Sequence, residues 1–226
     1  MKSFIFNDIS CEDMKVVVEE IYPLIERAAI SVETEKNINC VELDYDEVGL
    51  SNIESSLNLY IMDKTKLNDI KSWLCGKGIL EYDGKITSCA FFGSLKPVRT
   101  SSIYLLTLPF IRSPYWLKKD DYYIDVANTI NNDGNISIDP IIKLIKKNEN
   151  YVEISINDVR FKYTFPDNEE YAEFDCAKAE ITYNGLLRNN YLEIDFKFPC
   201  LTPGENIVSI HSGDARIQVK RKDCWL

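Results

Sequence analysis

The chain has 226 residues, 45% of them hydrophobic, and a formal net charge of −10 at pH 7. That length accommodates one large domain or two of about 110 residues, each with its own core, and the apolar content excludes a disordered tail. The acid excess is spread along the chain and argues against a nucleic-acid binder, which carries a basic patch.

The first residues, Met1-Lys2-Ser3-Phe4-Ile5-Phe6-Asn7-Asp8, contain no apolar core of a signal peptide. No stretch approaches the roughly 18 apolar residues of a membrane span, so synthesis in a cytoplasm is expected. Met14 to Glu26 is ambiguous: its charges permit a helix, but Val16-Val17-Val18 favours a strand and Pro23 interrupts. Leu57, Leu59 and Ile61 alternate with Asn58 and Tyr60, the period of a half-buried strand. A helix follows, with Asp63 as its cap. Leu67, Ile70, Trp73 and Leu74 share one face of it. Gly76 ends the helix cheaply in the left-handed region, and Lys77-Gly78 turns the chain into a strand at Ile79-Leu80.

Pro109 and Pro114 break a long strand region, and a domain boundary is expected near Lys118 to Ile124. The segment Asn131-Asn132-Asp133-Gly134-Asn135 is rich in turn residues. Val152, Ile154 and Ile156, then Val159, Phe161, Tyr163 and Phe165, form two alternating runs joined by an Asn157-Asp158 hairpin turn. Leu192, Ile194, Phe196 and Phe198 repeat the pattern, as do Ala215, Ile217 and Val219. Between these, Pro203-Gly204-Glu205-Asn206 reads as a type II turn, with Pro presetting φ and Gly taking the positive value.

Chemistry-bearing constellations are sparse. The seven cysteines, Cys11, Cys40, Cys75, Cys89, Cys176, Cys200 and Cys224, include no close pair. His211 is the sole histidine, so no metal site is expected. Small buried thiols in a protein made under reducing conditions fit better. Asp44 with Asp46 and Glu47, or Asp120-Asp121, read as solvated loop carboxylates rather than an acid/base pair. His211 reads as a turn or strand-edge residue. No nucleophile elbow, phosphate loop or dinucleotide fingerprint is present, and no catalytic residue, metal or cofactor is assigned. Tyr115-Trp116 and Tyr122-Tyr123 fall outside the alternation, at the expected boundary, and could pack one domain on the other or reach a partner.

Several short segments, in this order, resemble the distal tail protein (Dit) family of long-tailed, non-contractile bacteriophages. Phe4 to Ser10 is similar to the family's first strand. Trp73-Leu74, Gly78-Ile79-Leu80 and Leu108-Pro109-Phe110 resemble its N-terminal domain. Asn132 to Pro140 is similar to the start of its C-terminal domain, Phe174-Asp175-Cys176 to a strand at that domain's mid-point, and Pro203-Gly204-Glu205-Asn206 to its late turn. The signature residues are therefore Trp73, Leu74, Gly78, Leu80, Pro109, Phe110, Pro203, Gly204 and Asn206.

The resemblance implies a mainly β protein with one short helix and two β-sandwich-like domains. Residues 1–120 would be ring-forming, and 121–226 galectin-like. It implies a non-enzymatic six-fold hub at the distal end of the tail. The tail tube would lie on one side, with tail-tip, baseplate and, in some phages, receptor-binding proteins on the other, and DNA passing through the lumen. The chain ends after its last strand, so the carbohydrate-binding insertion of longer relatives is not expected. The competing expectation is a carbohydrate-binding β-sandwich for cell-wall attachment, which needs an exposed aromatic groove.

Overall fold

Alternation of apolar and polar residues builds nearly every element. In the computed structural model, residues 3–27, 30–34, 45–93, 96–100, 103–194 and 197–226 are described, with the backbone alone for 30–34, 45–49 and 100. The chain forms two compact units: the residues up to Trp116 together with Leu226, and Leu117–Trp225.

The first unit contains β1 (Ile5–Phe6), β2 (Ile9–Ser10), β3 (Val16–Val18), α1 (Tyr22–Ile25), β4 (Ile30–Thr34), β5 (Tyr45–Leu50) and β6 (Ile53–Ile61). α2 (Leu67–Trp73), β7 (Gly76–Tyr82), β8 (Lys85–Phe91), β9 (Val98–Thr100) and β10 (Ile103–Arg112) follow, and β11 (Trp116–Lys118) leaves the unit. Its main sheet runs β2-β1-β7-β8-β10-β6-β3, with β9 beside β10, while β4 and β5 pair with each other. Leu57, Leu59 and Ile61 on β6 and Leu106, Leu108 and Phe110 on β10 point to one face and are all buried. The helix α2 adds Ile70, Trp73 and Leu74 to that core.

Asp63 caps as expected, accepting from Thr65 N at 2.9 Å and Thr65 Oγ1 at 2.7 Å. It caps a short 3₁₀ turn, Lys64–Lys66, which leads into α2. Trp73 stacks on Phe4 with ring centroids 5.9 Å apart and donates its indole N–H to Phe6 O at 2.7 Å. Phe91 meets Phe6 edge-on at 4.8 Å, and aromatic pairs in this geometry add to plain burial.

Several local expectations are corrected. Phe4 to Ser10 is a tight hairpin and not one strand. Asn7 and Asp8 both take positive φ, 48° and 65°, which reverses the chain between β1 and β2. Met14 to Glu26 resolves into strand β3 followed by α1, with Pro23 in the first turn, where its missing N–H costs nothing. Gly76 has φ 79°, as a helix stop requires, but β7 starts there, so Lys77-Gly78 is strand and not turn. Pro109 does not break β10. Its carbonyl accepts from Phe92 N at 3.2 Å on the edge facing β8, and the β8 ladder begins only at Phe110. The missing proline N–H thus falls where no ladder bond is due. Asn131 and Asn132 lie in a strand instead of a turn, and the strand opened by Leu192 ends at Ile194; Phe196 lies outside the described residues.

The second unit is a sandwich of two antiparallel sheets. It contains β12 (Tyr123–Val126), β13 (Thr129–Asn132), β14 (Ile141–Lys146), β15 (Tyr151–Ile156), β16 (Val159–Thr164) and β17 (Tyr171–Asp175). β18 (Glu180–Tyr183), β19 (Leu186–Leu187), β20 (Leu192–Ile194), β21 (Gly204–Gly213), β22 (Ala215–Lys220) and β23 (Cys224–Trp225) complete it. One sheet has the order β12-β22-β14-β17-β18-β19, the other β13-β21-β15-β16-β20. Ile142, Leu144, Phe174, Ile217 and Val219 from the first face Val152, Ile154, Ile156, Phe161 and Val208 from the second in one buried cluster. The Asn157-Asp158 hairpin forms as expected, with Asn157 at φ 50°.

Replacing Trp73 by Ala removes a stacked ring and the indole hydrogen bond to the Phe6 carbonyl. The first unit should lose about 3–5 kcal/mol, read as a lowered urea midpoint for its transition. An unchanged midpoint would mean that the indole contributes no core packing.

Candidate assembly surfaces and the signature residues

The signature residues are structural joints. Gly78 lies under the turn of the first hairpin. Asn7 N donates to Ile79 O and Asn7 Oδ1 accepts from Ile79 N, both at 3.0 Å. A Cβ on Gly78 would sit 2.1 Å from that Asn7 oxygen, so glycine there lets the turn clamp onto β7. Leu80, on the same strand, is fully buried. Pro109 packs on Gly93, whose φ is 88° and whose added Cβ would lie 3.0 Å from the Pro109 ring.

Asn206 organises the late turn. The side chain is fully buried, and its Oδ1 accepts from Thr202 N and from Asn157 Nδ2, each at 2.8 Å. Its Nδ2 donates to Thr202 O at 2.8 Å and Gly204 O at 2.9 Å. Pro203 and Gly204, the latter at φ 89°, bend the chain around this amide. Asn157 N donates to Ile207 O at 2.8 Å, and Asn157 Oδ1 accepts from Ile207 N at 3.0 Å. One amide therefore ties the 202–204 turn to the β15–β16 hairpin.

A charge cluster joins the first and last segments of the second unit. Lys118 Nζ lies 3.2 Å from Asp133 and 3.4 Å from Asp223, and Arg221 lies 3.1 Å from Asp133 and 2.8 Å from Asp223. Asp223 is fully buried. Burial pushes the Asp133 carboxyl up, but hydrogen bonds from Lys118, Asn131 and Arg221 outweigh it and leave it below its ordinary value. Gly134 fits against this corner because a Cβ there would meet the Cys224 carbonyl at 2.2 Å. In the first unit, buried Arg112 donates to Ser113 O at 2.7 Å and to the Glu26 carbonyl that ends α1. Its guanidinium lies over the Trp116 ring at 5.2 Å. Burial lowers its pKa to about 10, so it stays charged at neutral pH. No sequence pattern marked Arg112, Asn7 or the Lys118 cluster, because each acts through distant partners.

The residues considered for chemistry do not converge. Asp44 and Cys40 lie outside the described residues, and the structure describes only the backbone of Asp46 and Glu47. Asp121 pairs with Lys220 at 3.0 Å. His211 lies inside β21 at a bulge, neither in a turn nor at a strand end, with Nε2 2.9 Å from Ser155 Oγ. Cys11, Cys89 and Cys176 are buried, whereas Cys75 is exposed at the helix end, contrary to the expectation of buried thiols. Burial pushes the Cys11 thiol up to about 11 and Cys89 up to about 12, which leaves both inert at neutral pH. Among the described residues no cluster of three or more His, Cys, Asp or Glu can hold a metal, and no helix is long and apolar enough to cross a membrane.

Of the aromatics outside the alternation, Trp116 is buried and Tyr122 is exposed. Tyr123 donates to Glu173 at 2.6 Å. On the outer face of the six-stranded sheet, Lys143 Nζ sits 4.1 Å over the Tyr171 ring, and Tyr171 packs on Tyr183 at 4.9 Å. These rings have their faces occupied and form no open groove. Exposed apolar side chains occur instead at Leu186 and Leu187 on the edge strand β19, and at Ile79, Phe92 and Val98 in the first unit.

The described residues form two antiparallel β units held by structural joints, and this fold was compared with known proteins. Residues 121–225 match the family described as siphovirus-type tail component, C-terminal domain. The resemblance to distal tail proteins of long-tailed phages is borne out by this match and by the fold. No curated protein sequence matches. Among solved structures, the chain is similar to SPP1 Dit, described as a paradigm of the hub adsorption apparatus in phages infecting Gram-positive bacteria. The identity is 11%, coverage is 100% of both chains and the TM-score is 0.70. It also matches the phage P2 baseplate in its activated conformation with calcium, at 11% identity, 97% of both chains and a TM-score of 0.37.

Replacing Asn206 by Ala leaves Thr202 N and Asn157 Nδ2 without their acceptor in a buried site. The second unit should lose about 3 kcal/mol or more, since each buried unsatisfied group costs roughly 1–3 kcal/mol. Thermal melts compared with Glu205→Ala, an exposed neighbour, check this. Equal melting of the two variants would remove Asn206 from its central role.

Proposed function

We propose that this chain is the structural hub at the distal end of a phage tail. Six copies close into a ring through head-to-tail contacts of the N-terminal domain, residues 1–120. The C-terminal domain, residues 121–226, is a galectin-like sandwich carried by that ring. The tail tube docks on one side, tail-tip or baseplate proteins and receptor-binding proteins on the other, and DNA passes through the lumen. The protein is made in the host cytoplasm, resides in the virion and performs no catalysis.

The observation that carries this reading is the full-length fold likeness to SPP1 Dit, which runs through both units. A fold alone does not fix a function, but the family of residues 121–225 points to the same structure in a virion. The acid excess, 36 Asp and Glu against 26 Lys and Arg, suits a conduit for DNA, because phosphate binding depends on Lys and Arg. The carbohydrate-binding alternative gains no support from the occupied tyrosine faces around Lys143.

Immunogold labelling of virions with antibody against this chain tests the position. Gold confined to the end of the tail distal to the capsid is expected. Gold along the whole tail, or on the capsid, would overturn the hub assignment.

A further inference from the structure

Two exposed apolar patches in the first unit differ in charge and lie on opposite faces of its main sheet. The helix α1 is two-sided. Ile21, just before it, and Leu24 are buried, while Tyr22 and Ile25, also three positions apart, are exposed at 60% and 43%. Glu19, Glu20 and Glu26 are exposed around them, and Arg27 is the sole cation of residues 19–27. The Glu26 carbonyl accepts from Arg112, which is buried on the same face of β10 as Leu108 and Phe110. The α1 patch therefore belongs to that covered face. The second patch belongs to the other face. Val98 pairs with Leu105, and Phe92 N donates to the Pro109 carbonyl, one step beyond the Phe91 and Phe110 pair. Leu105 and Pro109 alternate with the buried Leu106, Leu108 and Phe110, and cross-strand partners share a face. Phe92 and Val98 are exposed at 48% and 62%, and they sit ~13 Å apart along β10. Lys96 and Arg99 are exposed beside them, and residues 92–100 include no carboxylate.

We propose that these patches are the two halves of one contact between copies of this chain. Tyr22 and Ile25 of one copy pack against Phe92 and Val98 of the next, with Glu20 and Glu26 facing Lys96 and Arg99. The inference rests on the proposed ring and names the surfaces that close it. A second copy is the occupant for two reasons. One chain cannot join its own patches, because they lie on opposite faces of one sheet. A repeated head-to-tail contact needs two unlike, complementary surfaces on each protomer, and here three carboxylates and one guanidinium meet two cations. Apolar centres with charged surroundings are the anatomy of a specific contact, and opposite charges fix its register and speed encounter. The Glu19 carboxylate accepts from Tyr60 Oη at 2.6 Å, which leaves the pairing to Glu20 and Glu26.

The test uses the full-length chain with its tail tube protein and counts annular particles by electron microscopy over a concentration series. One variant carries Lys96→Glu and Arg99→Glu, which makes both of its patches acidic. The other carries Glu20→Lys and Glu26→Lys, which makes both basic. All four positions are exposed, so the melting temperatures should match that of the unsubstituted chain. Each variant alone should need about tenfold more protein to form rings, since like charges then meet across every contact. An equimolar mixture should restore assembly, because the two variants can alternate around an even-membered ring and only unlike patches then meet. The fourfold variant, with both signs exchanged, should assemble as well. Undiminished rings from either variant alone, or no recovery in both the mixture and the fourfold variant, would overturn the contact and leave the ring standing. No rings from the unsubstituted chain would overturn the ring itself, and this contact with it.

Discussion

The second unit depends on one constraint: a sandwich corner must satisfy every backbone polar group that its strands leave behind. Asn206 meets it. Its amide accepts from the 202 backbone and the Asn157 side chain while donating to the carbonyls of the same turn. This lets β21 start where Gly204 bends the chain, beside β13 on one flank and β15 on the other. With β21 placed, Val208 reaches the core and the chain reverses at Gly213 into β22, the second strand of the opposite sheet. The charge cluster of Lys118, Asp133, Arg221 and Asp223 acts in the same way at the unit's other corner, where its first and last segments meet.

The first unit solves its corner problem with apolar weight and one clamp. Trp73 brings α2 onto Phe4, and the Asn7 turn locks over Gly78. Arg112 closes the end of α1 from within the sheet. Such joints favour a rigid body with little internal free space. That suits a part whose proposed task is to transmit contacts between neighbours, with exposed apolar side chains available for those contacts.

Much of the β architecture was legible in the sequence, because alternation at Leu57–Ile61, Val152–Ile156 and Ala215–Val219 follows directly from one buried face per sheet. The helix at Leu67–Trp73 was legible from its cap and its apolar stripe. What was not legible depended on pairing. Asn7-Asp8 looked like strand because its positive φ values show only in three dimensions, and Pro109 looked like a breaker because the end of the β8 ladder cannot be seen along β10. Pro203, Gly204 and Asn206 were noticed as a turn, but the buried hydrogen bonds that make Asn206 central run to Asn157, which is 49 positions away. The Lys118 cluster, spanning over 100 positions, left no local pattern at all.

The proposed ring is the claim on which the functional account stands, and electron microscopy of the purified protein mixed with its tail tube protein tests it most directly. Six-fold annular particles with a central hole are predicted. Monomers alone at every concentration, with the tube protein present, would contradict the account.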